Sequence, residues 1–100
     1  MRVKAIIEEK YKEAIKSKKS EEINTLRLLK SAIKDKEIAN RIGSENSELT
    51  DSDILTLFQG LIKQRKDSIE AFKLASREDL ILKEKAEIEI IQEFLPKQLD

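Results

Sequence analysis

Apolar residues recur along this chain at helical spacing in four separate blocks. In the first, Val3, Ile6, Ile7, Tyr11, Ala14 and Ile15 fall on one face, predicting a helix over 3–17. Glu8 and Lys12 are set for an i,i+4 pair on its wet side, and Lys16 to Lys19 place cations at the negative end of the helix dipole. The second block carries Ile23, Leu26, Leu29 and Ile33, widened by Leu28, Ala32, Ala39 and Ile42, and predicts a helix over 20–42. Ser20 stands where an N-cap is expected, with Glu21 and Glu22 in the first turn and Gly43 where a left-handed C-terminal cap is expected. The polar run Ser44 to Glu48 then reads as a loop.

The third block is the most sharply punctuated. Thr50 and Asp53 have capping-box spacing, and Leu49 can staple onto Ile54. Ile54, Phe58, Leu61, Ile62, Ile69 and Phe72 mark a helix over 50–74. Gly60 inside it costs up to about 1 kcal/mol against Ala, which suggests close approach by a neighbouring helix. In the fourth block Ser76 is the expected cap, Leu80, Ile81, Ala86, Ile88, Ile91, Phe94 and Leu95 form the apolar surface, and Pro96 closes a helix over 76–95. Short links before the second and fourth helices imply antiparallel hairpins. The fold class expected is all-α, an antiparallel bundle of four amphipathic helices. A heptad coiled coil is the rival, opposed by breaks that interrupt any long register.

Composition agrees with helices. Of 100 residues, 40% are charged and 39% apolar, with two Gly and one Pro. Disorder needs low hydrophobicity and an excess of one charge, whereas this chain is neutral with regularly spaced Ile and Leu. The neutrality conceals an asymmetry of +5 over residues 1–42 and −5 over 43–100. No apolar run reaches the roughly 18–20 residues of a membrane span, so no membrane partner is expected. The start, Met1 to Glu9, meets acidic residues too soon for a secretory segment, and a cytoplasmic location is the expectation.

The chemical inventory is thin. With no Cys and no His there is no thiolate or imidazole ligand and no cysteine nucleophile. Two isolated glycines make no phosphate-cradling loop. Glu84 and Glu87 share a helical face, but carboxylate-bridged metal sites in bundles also use histidine, so salt bridging is the better reading. No catalytic, cofactor-binding or metal residue is expected, and no cofactor. Arg65 lies on the core-facing stripe between Ile62 and Ile69, where it must snorkel, bind a ligand or pair with Glu84 or Glu87. Arg27, Lys30 and Lys34 on the second helix, with Lys63 and Lys66 on the third, recur at spacings that can track a phosphate backbone. A solvated face, with lysine stems covering apolar surface, is the competing account. The four aromatics sit at core spacing, unlike a base-stacking platform.

Longer words then become recognisable. Thr25 to Ile38 (TLRLLKSAIKDKEI) resembles the second-helix signature of the GatB/YqeY family, and Leu61 to Phe72 (LIKQRKDSIEAF) its third. Arg77-Glu78-Asp79-Leu80 and the ending Lys85 to Leu99 (KAEIEIIQEFLPKQL) are similar to family segments in order and spacing. The resemblance implies a YqeY-like helical domain over 1–95, related to the tail of the GatB subunit of tRNA-dependent amidotransferases. There, Glu-tRNA(Gln) or Asp-tRNA(Asn) is amidated with glutamine as nitrogen donor. It implies a noncatalytic accessory module, partnered by tRNA or an amidotransferase-related or aminoacyl-tRNA-related protein. A family description may read carbon–nitrogen ligase with glutamine as amido-N-donor, though the catalytic domains of such enzymes lie elsewhere. Family members continue past the Leu-Pro-x-Gln-Leu segment into a second helical domain, so 96–100 is expected to begin a linker. A helical protein-interaction or scaffold module without a nucleic-acid role is the alternative.

Overall fold

A computed structural model describes residues 2–41 and 48–96. Four helices run in the order α1 (Val3–Lys16), α2 (Ser20–Asn40), α3 (Asp51–Leu74) and α4 (Glu78–Gln92). α1 pairs with α2 and α3 with α4, and the two hairpins meet chiefly along α2 and α4. Their shared core is one cluster that includes Val3, Ile7, Leu26, Leu29, Ile54, Phe58, Ile62, Ile81, Ile88, Ile91 and Phe94. Phe58 and Phe94 meet edge to face with ring centroids 5.8 Å apart, joining α3 to the turn that follows α4. No strand occurs among the described residues.

Helix ends differ from the simplest reading in an instructive way. Ser20 and Ser76 do not cap. Ser20 is already helical, behind Lys19, and α4 starts behind Arg77; neither flanking residue makes a side-chain cap bond. Ser76 instead adopts φ 55°, and Lys18 in the corresponding place after α1 adopts φ 54°. Around them Lys19 N–H donates to the Ala14 carbonyl and Lys18 N–H to that of Ile15, while Arg77 donates to Phe72 and Ser76 to Lys73. Both hairpins therefore turn on the same left-handed C-terminal motif, built without the usual glycine. Thr50 does cap α3, receiving a bond from Asp53 N–H at 3.1 Å while the Asp53 carboxylate takes one from Thr50 N–H. α1 has no cap of its own; Asp51 of α3 accepts from Val3 N–H at 3.0 Å.

Some apolar positions lie outside the core. Ile15, Leu28 and Ala39 are exposed, and α4 ends at Gln92, leaving Phe94 and Leu95 in a turn ahead of Pro96. A Cβ added at Gly60 would meet nothing within 4 Å, so no helix crosses there and the expected close approach is absent. Ile42, Gly43 and residues 44–47 lie outside the described residues. The start of α2 (Lys19 to Glu22) faces α4 at Ala86, Glu89 and Ile90, so the first turns of α4 reach beyond α2. Leu82 on those turns is 66% exposed and Leu74 at the end of α3 is 91% exposed.

Candidate nucleic-acid interface

Two of the α2 cations reach across to α1. Arg27 donates to the Tyr11 hydroxyl at 3.2 Å, and Lys30 bonds Glu8 at 3.0 Å with its ammonium 4.3 Å from the Tyr11 ring centroid. One end of the same seam is closed by Lys4, which hydrogen-bonds Glu37. Running antiparallel, Lys4, Glu8 and Tyr11 thus match Glu37, Lys30 and Arg27 and fix the register of the first hairpin. Glu8 reaches Lys30 across the seam rather than Lys12 along its own helix. Lys34 is exposed.

Glu37 also receives Leu49 N–H at 3.0 Å, tying the entry to α3 back onto α2. The Lys4 hydrogen bond, then that of Leu49, holds its carboxyl below the usual carboxylate range. The same contact raises Lys4. Arg77 and Asp79, at the α3–α4 turn, pair at 3.0 Å with both side chains exposed.

Arg65, Glu84 and Glu87 come together between α3 and α4. The Arg65 Nε donates to Glu87 at 3.1 Å and its terminal nitrogen lies 3.0 Å from the same oxygen. Glu84 stands 3.9 Å away, and Arg65 also donates to the Leu61 carbonyl at 3.2 Å. The three side chains are 12%, 20% and 16% exposed for Arg65, Glu84 and Glu87. The guanidinium is matched on both sides, which leaves it little capacity for an outside anion.

Lys63 and Lys66 stand apart from these networks. With Gln59 and Ile62 of α3, and Gln92, Leu95 and Pro96 at the end of α4, they line a groove of ≈ 760 Å³. Its floor is apolar, with Ile62 only 6% exposed, and its rims are amide and ammonium. Lys63 pairs with Asp67 at 3.3 Å, but the two side chains are 78% and 70% exposed, so water and salt screen that contact. No ion pair holds Lys66 among the described residues, and no hydrogen bond or ion pair there links this group to the α2 cations. Gln59 and Gln92 were not singled out from sequence. Glutamine on a polar helix face carries no signal until the opposite helix is placed. No cluster among the described residues is arranged to hold a metal ion.

Fold and groove together define a small helical-bundle module with an apolar-floored, polar-rimmed groove between α3 and the end of α4. The chain belongs to the Yqey-like protein family, whose model matches residues 4–100. It is similar to an uncharacterized protein of Schizosaccharomyces pombe, 36% identical over 95 residues, covering 95% of this chain and 73% of that protein. It is also similar to proteins named altered inheritance of mitochondria protein 41, mitochondrial. That of Lachancea thermotolerans is 38% identical over 91 residues, 91% of this chain and 46% of its own length. That of Pyrenophora tritici-repentis is 37% identical over 81 residues, 81% of this chain and 42% of its own length. The chain therefore spans less than half the length of these mitochondrial relatives. Their names overturn the cytoplasmic expectation, which had only the composition of the first residues behind it. No helix of the described residues is long and apolar enough to cross a membrane.

Proposed function

We propose that this chain is a noncatalytic accessory module of tRNA-dependent amidation, akin to the tail of GatB, and that it engages tRNA through the α3–α4 groove. The observation that carries the reading is the placement of Lys63 and Lys66 on the rim of that groove. Lys63 makes only a screened, exposed pair with Asp67 and no ion pair among the described residues holds Lys66, whereas Lys30 and Arg65 pair with Glu8 and Glu87 across helix seams. Two exposed ammonium groups one helical turn apart suit neighbouring phosphates. Lys34 adds a further cation on the first hairpin; Arg27 and Lys30 serve the α1–α2 seam instead. Residues 1–95 form the module, with 96–100 leading onward, and the relatives' names point to a mitochondrial setting. Carbon–nitrogen ligase chemistry belongs to the assembly it serves. Fluorescence anisotropy with an unmodified tRNA tests the reading: affinity falls as salt rises. Absence of binding at low salt, or a salt-independent affinity, removes it.

A protein-docking role is the second reading, favoured by one observation. Leu82 and Leu74 are exposed where α3 and α4 outreach the first hairpin. Sedimentation of the protein with and without Leu82→Glu tests it; a strict monomer in both, with no amidotransferase-related partner bound, counts against it.

A further inference from the structure

The shape of the α3–α4 groove narrows what part of an RNA it can take. A duplex is read by elements that project into its grooves, whereas this surface is concave and receives something that projects from the ligand. At ≈ 760 Å³ it has the size of a small-molecule pocket. Ile62, Leu95 and Pro96 supply an aliphatic bed, with no aromatic ring to stack on. Gln59 and Gln92, exposed on opposite helices, each offer a carboxamide with a donor and an acceptor side by side. Lys63 and Lys66 lie one and two turns along α3 from Gln59.

We propose that this groove holds a single unpaired nucleotide of the RNA, its base lying on Ile62, Leu95 and Pro96 with its edge read by Gln59 or Gln92, and the phosphates on its two sides against Lys63 and Lys66. The inference rests on the tRNA-binding reading above and adds to it which part of the RNA is recognised. A carboxamide matches the N6–H donor and N7 acceptor on the Hoogsteen edge of adenine, a pair that uracil, cytosine and guanine lack on that edge, so adenosine is the favoured nucleotide. With an aliphatic bed the edge contact, rather than stacking, supplies the discrimination. The two glutamines are specificity-determining residues, and the two lysines supply affinity without discrimination.

The test uses the whole chain and three labelled RNA probes of equal length: an unstructured oligoadenylate, an oligouridylate and a duplex. Binding is read by anisotropy at fixed low salt. The expected result is oligoadenylate bound at least about fivefold more tightly than either other probe, the lower end of what one bidentate base contact gives. Gln59→Leu with Gln92→Leu should erase that preference and leave the weaker affinity for the other two probes. Lys63→Ala with Lys66→Ala should weaken all three together. All four positions are exposed, and circular dichroism checks that each variant keeps its helices. Equal affinities for the three probes, or a preference that survives the double glutamine replacement, overturns this inference and leaves tRNA binding standing. Failure of every probe and of tRNA to bind removes both.

Discussion

Replacing Arg65 by Met while Glu84 and Glu87 stay leaves two carboxylates of one helix face, 20% and 16% exposed, without the cation between them. Breaking a buried ion pair by removing one partner costs about 3–5 kcal/mol, because the survivor stays charged and desolvated. Here a sixth to a fifth of each carboxylate still reaches water, so the cost should be smaller, about 2–3 kcal/mol. That lowers the melting temperature by roughly 10–20 °C for a chain of this size. In Arg65→Met with Glu87→Met, apolar stems fill the seam between α3 and α4, and only Glu84, the more exposed carboxylate and the more distant from Arg65 at 3.9 Å, is left without the cation. The double variant should therefore lose only about 1 kcal/mol. Urea unfolding followed by far-ultraviolet circular dichroism, run as a double-mutant cycle, gives the coupling directly. Equal losses in the single and double variants would refute the reasoning. They would mean that Arg65 contributes through its stem and its bond to Leu61 rather than through charge pairing.

Three further outcomes follow from the helix ends and the first hairpin. Gly60→Ala should stabilise by up to about 1 kcal/mol, since the added methyl meets no neighbour, and a lower melting temperature would contradict that. Lys18→Gly and Ser76→Gly should each stabilise by about 0.5–1 kcal/mol by relieving a left-handed backbone at φ 54° and 55°, less glycine's own entropic cost; urea midpoints check both. Glu37 titrates lower folded than unfolded, so its contribution is complete above the ordinary value of 4.5 and is lost as pH falls through the depressed folded value. Stability of the native chain minus that of Glu37→Gln should shrink on acidification across that window, and a difference independent of pH would contradict the assignment.

The helices were legible because burial demands periodicity. Ile54, Phe58, Ile62 and Ile69, or Ile81, Ile88 and Ile91, can only be hidden together on one face. Thr50 and Asp53 were equally legible, since a capping box is written within four residues. Ser20 and Ser76 misled because a serine between helices suits either a cap or a turn. The bonds from Lys19 and Arg77 back into the preceding helices made both links C-terminal turns, with Ser20 already helical and Ser76 at the left-handed position. Gly60 misled for a related reason: a helical glycine implies a neighbour only if one is there. The cations of α2 and α3 look alike as spacing, and only packing separates them. Tyr11 and Glu8 of α1 claim Arg27 and Lys30, whereas Lys63 and Lys66 overlook a groove whose far wall is Gln92 at the end of α4 and Leu95 in the turn after it.

That separation is also where the functional account is most directly exposed to test. The slope of log affinity for tRNA against log salt should be compared for the native chain, Lys63→Ala with Lys66→Ala, and Arg27→Ala with Lys30→Ala. Each lost phosphate contact lowers the slope by about 1. The account predicts a slope shallower by about 2 for the α3 pair, and an unchanged slope with a lower melting temperature for the α2 pair. The reverse pattern, with the slope carried by Arg27 and Lys30, would contradict it.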